Sequence, residues 1–203
     1  MAYPPPPSNV SAYDGIAEWF DKTRTRELIE KPYLEALAQM LGRGASILDV
    51  GCGTGEPILR FFTERQFKVT GVDASAAMIA IARGRLPRAR LVVGDMRELA
   101  LDETFDAAIL WHSLFHLRHD DQRAMFGMLA RLLNPGGVLM FTSGTEFGET
   151  WSDNGGVMLY HASLDQQEYQ SLLEANGFEV AQLTVDDPAC GGATVWIARV
   201  RKT

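Results

Sequence analysis

The run Ser46-Ile47-Leu48-Asp49-Val50-Gly51-Cys52-Gly53-Thr54-Gly55 has two halves of opposite character. Ile47, Leu48 and Val50 make a short apolar stretch of the kind found in parallel strands buried on both faces. Glycine then recurs at 51, 53 and 55, where the backbone is free to adopt conformations closed to side chains and a ligand is free to approach it closely. A helix is expected from about Glu56 to Arg65, its unpaired N–H groups and positive dipole end turned toward that ligand.

Spacing narrows the ligand. A dinucleotide fingerprint requires G-x-G-x-x-G, yet Glu56 stands three residues beyond Gly53. A phosphate-cradling P-loop ends in Gly-Lys-Ser/Thr, which is absent here. The pattern Asp49-x-Gly51-x-Gly53-x-Gly55 instead carries an acidic residue at its head, which suits a ligand bearing an ammonium group and no phosphate. It resembles motif I of the class I S-adenosylmethionine-dependent methyltransferases, and within them the broad group with the methyltransferase 11/25-type domain.

Outward from this loop the chain alternates. Strands are expected at Lys68–Val72, ending in Asp73, at Leu91–Val93, ending in Gly94-Asp95, and at Phe105–Leu110, ending in Trp111-His112. Helices separate them: one presents Met78, Ile79 and Ala82 on one face, and another runs from about Asp120 to Leu133. Asn134-Pro135-Gly136-Gly137 stops the latter before a strand at Val138–Thr142. Ser163, with Gln166 three residues on, reads as the capping box of a helix that Gly177 ends. Two strand-like runs follow, Phe178–Val185 and Thr194–Val200, joined by a connection too short for a crossover helix, so the last strand must be antiparallel. The expected fold is an α/β three-layer sandwich: a mostly parallel seven-stranded sheet closed by an antiparallel C-terminal hairpin. That is also what the resemblance implies.

Ahead of the first strand, residues 1–10 begin proline-rich and read as a disordered tail; 11–203 read as a single domain, with 11–45 forming N-terminal helices. One helix spans about Ser11–Asp21. Pro32 suits the first turn of another, with Leu34, Leu37, Met40 and Leu41 at helical spacing. These helices are placed to act as a lid.

In an open α/β sheet, ligands bind beyond the carboxyl ends of the strands. The resemblance then implies a cofactor site for S-adenosylmethionine, left as S-adenosylhomocysteine after transfer. Gly51, Gly53 and Gly55 line its methionine end, Asp49 balances the ammonium group, and Asp73 accepts both ribose hydroxyls. Asp95 accepts the adenine amino group, with Gly94 and Met96 against the ring. Ala74 and Met78 pack on the ribose–adenine side, and Tyr13 and Trp111 complete the set. Asp73 and Asp95 also fit plain helix-cap and turn positions, and Met78 a core position. Cys52 reads as a small filler.

Methyl transfer is an in-line displacement in which a sulfonium loses its charge, so holding the nucleophile about 3 Å from the methyl carbon in a dry pocket supplies most of the acceleration. A hydroxyl acceptor also needs a base, and neutral histidine suits. His116, His112 and His161 are the catalytic candidates, His112 and His116 being readable also as structural histidines bonded to backbone. Trp19, Phe115, Trp151 and Tyr160 are the expected substrate contacts, an aromatic lining that fits a small organic acceptor. No metal is expected, because Asp120 and Asp121 read as first-turn residues of their helix.

The totals restrict partners. Hydrophobic residues at 46% and charged residues at 22% are those of a globular domain with a sizeable core. A net charge of −7 disfavours a phosphate backbone as main partner, and Arg83, Arg85, Arg88 and Arg90 fall where a helix end needs cations. Two cysteines make no disulfide framework, and no apolar run reaches the roughly 18 residues of a membrane span. The expectation is a cytoplasmic monomer or homodimer with no nucleic-acid or membrane partner. Rival readings are a non-catalytic S-adenosylmethionine-binding protein and a methyltransferase acting on RNA or protein.

Overall fold

The computed structural model describes residues 9–25 and 27–202; the prolines of the expected tail lie in 1–8, outside the described residues. Asn9 and Val10, counted with that tail, instead open helix α1 (Asn9–Thr23), and α2 covers Lys31–Met40. The alternating unit then follows as β1 (Ser46–Val50), α3 (Ile58–Glu64), β2 (Lys68–Asp73), α4 (Ala76–Arg85), β3 (Arg90–Val93) and β4 (Phe105–Leu110). After it come α5 (His119–Leu132), β5 (Leu133–Ser143), β6 (Gly148–Asn154), β7 (Val157–Ser163), α6 (Gln166–Ala175), β8 (Phe178–Asp187) and β9 (Ala193–Val200).

Seven strands form one sheet in the order β3-β2-β1-β4-β5-β9-β8. The pairs from β3 through β5 are parallel, and β9 is antiparallel to both β5 and β8. Adjacent residues of each inner strand serve opposite faces. Ile47, Ile109 and Met140 pack under α2, α3 and α4 through Leu37, Phe62 and Ile79. Leu48, Leu110 and Phe141 pack under α5 and α6 through Phe126, Leu129 and Tyr169. Burying each such side chain contributes about 1.5–3 kcal/mol, against roughly 1 kcal/mol net for a ladder hydrogen bond. The sheet is therefore held chiefly by its two helical layers.

Four boundaries differ from expectation. Helix α3 starts at Ile58, because Pro57 and the turn before it occupy the first expected turn. Strand β5 begins at Leu133, so Asn134-Pro135-Gly136-Gly137 does not form a separate turn. It is absorbed as an irregularity between the Phe105↔Leu133 and Ala107↔Val138 pairs, where Asn134 Nδ2 donates to Asp106 Oδ1 at 2.8 Å. The cap of α6 is Asp165, whose Oδ1 accepts from Glu168 N at 2.8 Å. Ser163 is still in β7, and its Oγ accepts from Gly144 N at 3.0 Å. Finally, between β5 and α6, where no strand is expected, lies an antiparallel hairpin, β6 with β7, turning at Gly155-Gly156, both with left-handed backbones. Gly-Gly is among the usual hairpin signals.

The arginine cluster is largely consumed internally. Arg85 pairs with Asp21 of α1, Arg90 with Glu103, and Arg83 donates to Leu91 O at 3.0 Å. Among the described residues, no helix is long and apolar enough to cross a membrane.

Candidate active site

The strand order reverses direction between β1 and β4, and a cavity of about 480 Å³ opens there beyond the carboxyl ends. Its floor is the glycine loop. Gly51 N and Cys52 N donate to Val72 O at 2.8 and 3.0 Å. Gly51 and Gly53 both have left-handed backbones, φ +79° and +53°. A Cβ on Gly51 would lie 2.3 Å from Ser113 Cβ, and Ser113 is itself pinned by its Oγ donating to Val50 O at 2.6 Å. Only glycine fits where β1, β4 and the cavity meet. Gly55 has a different duty: it faces Leu86 and Ala82, where it lets α4 approach, and does not line the cavity.

Asp49 is 2% exposed, and no described residue hydrogen-bonds its side chain, although it lines the cavity. Burial pushes its carboxyl up to about 7, Arg24 opposing this and Asp73 adding to it. Asp73 is firmly placed: Oδ2 accepts from Gly53 N at 2.8 Å and Oδ1 from Ser75 N at 2.9 Å. Each oxygen keeps a lone pair for a ligand. Ser75 caps α4, accepting from Met78 N at 3.1 Å. Ala74, Met78 and Met96 continue the wall. Asp95 also reaches it, but as a turn residue whose Oδ1 accepts from Arg97 N at 2.9 Å while Arg97's guanidinium holds both oxygens. That pairing keeps its carboxyl below the usual range. Gly94 lies outside the lining and bonds to Asp73 O.

The opposite wall is aromatic. Trp111 ends β4, and His112 follows with φ +53°, uncommon for a residue with a side chain. Phe115 stacks on His161 at 5.0 Å and meets His116 edge-on at 4.8 Å. Burial lowers the pKa of all three histidines, to about 4 for His112 and His116, so all are neutral near pH 7. His116 has both ring nitrogens engaged, Nε2 with Tyr13 Oη at 2.7 Å and Nδ1 with Tyr160 O at 3.1 Å. Burial raises the Cys52 thiol too, with Asp49 and Asp73 adding, which matches a filler and not a nucleophile.

Helix α1 roofs the cavity. Asn9 donates to Tyr160 O at 2.9 Å and accepts from Tyr160 N at 3.2 Å, pairing with β7 as a strand residue would. Asp14 Oδ1 accepts from Ser75 Oγ at 2.6 Å and from Ala77 N at 3.1 Å, tying α1 to the start of α4. Asp14→Ala is expected to speed amide exchange across α1 while leaving the melting temperature nearly unchanged, as measured by hydrogen exchange and calorimetry. Equal exchange in both proteins would mean that Asp14 does not anchor the roof.

Fifteen of the expected site residues thus share one cavity, Tyr13, Tyr160, Phe115 and Trp111 among them, while Gly55, Gly94, Trp19 and Trp151 do not. Trp19 is 40% exposed and covers the hairpin turn at Gly155 from outside. Trp151 lies edge-on to Tyr160 within the hairpin. Sequence reasoning missed Asn9, Arg24, Asn154 and Arg97. A cap-type residue before α1 and the Gly-Gly turn after Asn154 signalled the first and third; nothing local signals Arg24. Among the described residues, no group of three or more His, Cys, Asp or Glu is placed to hold a metal ion.

Residues 47–137 match the family described as a methyltransferase domain. A dTDP-4-amino-2,3,4,6-tetradeoxy-D-glucose N,N-dimethyltransferase of Saccharopolyspora spinosa is 34% identical over 65% of this chain and 53% of its own. The chain spans about half the length of the curated relatives it matches. Among solved structures, an amino pentose methyltransferase from Micromonospora echinaspora, bound to S-adenosylmethionine, has TM-score 0.71 at 23% identity, covering 98% of this chain and 99% of that one. The Burkholderia thailandensis 1,6-didemethyltoxoflavin-N1-methyltransferase, with S-adenosylhomocysteine bound, has TM-score 0.72 at 22% identity, covering 100% and 94%. At these identities the likeness is one of fold.

Proposed function

We propose, from the match of residues 47–137 to a methyltransferase domain and from a fold like that of solved methyltransferases, that this chain is an S-adenosylmethionine-dependent methyltransferase of small organic acceptors. The observation that carries the reading is Asp49, a buried carboxylate with no side-chain hydrogen bond among the described residues, facing a glycine-walled cavity. Such a group is stable in its charged form only opposite a cation. The ammonium of the cofactor's methionine end is one, and Arg24 stands in the same wall for the adjoining carboxylate. Asp73, with a free lone pair on each oxygen, suits a vicinal diol.

When bound, S-adenosylmethionine supplies a methyl carbon on a positively charged sulfur. The chain's own contribution is placement and dryness. Gly51 and Gly53 let the ligand lie against the backbone, α1 closes the site from water, and Phe115, Tyr160 and His161 shape the wall an acceptor meets. Residues 11–203 act as one unit in this reading, with α1 and α2 as the cover.

Titration calorimetry is expected to show uptake of S-adenosylmethionine and S-adenosylhomocysteine and none of NADH, and labelled methyl is expected to reach at least one member of a panel of amines, phenols and thiols. Binding without any transfer would favour a binding protein over an enzyme. NADH uptake without S-adenosylhomocysteine uptake would overturn the assignment.

A further inference from the structure

The protons on the cavity's histidines can be traced through their neighbours. Thr142 is 1% exposed, and its Oγ1 accepts from His112 N at 2.8 Å. The hydroxyl proton then needs an acceptor, and among the described residues His112 Nδ1, at 3.3 Å, is the one in reach. A buried hydroxyl proton does not go unpaired without cost. Nδ1 therefore accepts, and the ring proton sits on Nε2, the nitrogen without a hydrogen-bond partner among the described residues.

His116 is engaged on both sides: Nδ1 lies 3.1 Å from Tyr160 O and from Asn9 Nδ2, and Nε2 lies 2.7 Å from Tyr13 Oη, so neither nitrogen faces the acceptor as a free base. At His161, Nε2 is engaged by Ser152 Oγ at 3.0 Å, an oxygen that also accepts from Asn154 Nδ2 at 2.8 Å. Of the other carboxylates in the wall, Glu56 is engaged by Arg60, Asp95 and Asp121 by Arg97, and Asp73 by Gly53 N and Ser75 N, while Asp49 faces the cofactor end. Arg24 and His161 are the titratable groups whose charge His112 feels, and both oppose its protonation.

We infer that His112 meets the acceptor as a hydrogen-bond donor through Nε2–H and not as a base, and that the site therefore methylates uncharged nitrogen nucleophiles, whose lone pair needs no prior deprotonation. This rests on the methyl-transfer reading of the cavity. The amine nitrogen forms the new N–C bond, the S–C electron pair returns to sulfur, the positive charge passes to nitrogen, and the extra N–H proton leaves afterward to water. His112 Nε2–H holds an oxygen or nitrogen lone pair elsewhere on the acceptor, which makes it a specificity residue.

The test is a long-range proton–nitrogen correlation spectrum of the full chain labelled with ¹⁵N-histidine, without ligand, at pH 7. His112→Asn and His116→Gln assign the signals, asparagine being tolerant of the left-handed backbone. The expected result is Nε2–H for His112, with Thr142→Ser preserving the His112 pattern and Thr142→Val shifting it. A His112 ring protonated on Nδ1, or on both nitrogens, overturns the inference. So does transfer to phenol at pH 7 at a rate equal to or above that for aniline. S-adenosylhomocysteine binding measured on the same sample separates the two failures: intact binding with the wrong tautomer sinks only this inference, whereas lost binding sinks the methyltransferase reading itself.

Discussion

Asp49→Asn is expected to raise the melting temperature of the ligand-free protein while weakening S-adenosylhomocysteine binding by more than about 100-fold. Both follow from one buried carboxyl. Its pKa in the folded chain is about 7, against roughly 3.9 in an unfolded chain. Between those values the folded state binds more protons than the unfolded state, so this group's contribution to stability is greatest below about pH 4 and falls as pH rises through 7. At pH 8 the full charge is buried at a cost of several kcal/mol, and asparagine removes it while leaving an amide with unmet hydrogen bonds worth about 1–3 kcal/mol. The net gain is expected near 5 °C, at about 2–4 °C per kcal/mol for a chain of this size. The same change removes the partner of the ligand's ammonium, and losing one side of a buried charge pair costs about 3–5 kcal/mol. Wild-type affinity should also fall below pH 7, with a proton released on binding, visible as a buffer-dependent calorimetric enthalpy. A variant that melts lower and binds normally would show that Asp49 is a structural group.

Gly51→Ala tests the floor of the cavity. Its φ of +79° costs an L-residue about 1–2 kcal/mol, and the added Cβ falls 2.3 Å from Ser113 Cβ. Ser113 is 4% exposed and bonded to Val50 O, so it has little room to yield. Overpacking of this kind adds about 1–3 kcal/mol. The expected outcome is a melting temperature lower by about 10 °C and cofactor affinity reduced by at least tenfold. Gly53→Ala is the control: its Cβ would meet only Phe20, at 3.8 Å, so the protein should fold with a smaller loss. Equal melting temperatures for Gly51→Ala and wild type would mean that the loop rearranges freely.

The parallel core was legible because its strands are short apolar runs, three of which, β1, β2 and β3, stop at a glycine or an acid. Asp49, Asp73 and the loop glycines declared themselves by spacing. The misreadings have a common source in groups that compete for one task. Ser163 and Asp165 can each cap a helix, and the one free of a strand won. Trp19 and Trp151 have the composition of pocket residues, but which side of α1 or of the hairpin faces inward depends on packing that no local pattern encodes. Arg24 is placed by the path from α1 to α2, a long-range outcome with no local signature. The roles of the site residues rest on the titrations and variants above.

Strands β6 and β7 hydrogen-bond to each other and to no strand of the main sheet. Lengthening or trimming this ribbon therefore leaves every register of the seven-stranded sheet untouched, along with the acids that β1 and β2 carry. Two faces of one chamber belong to separate sheets: a half set by the registers of the main sheet, and a half on the ribbon that selection or an engineer can reshape to admit a different guest.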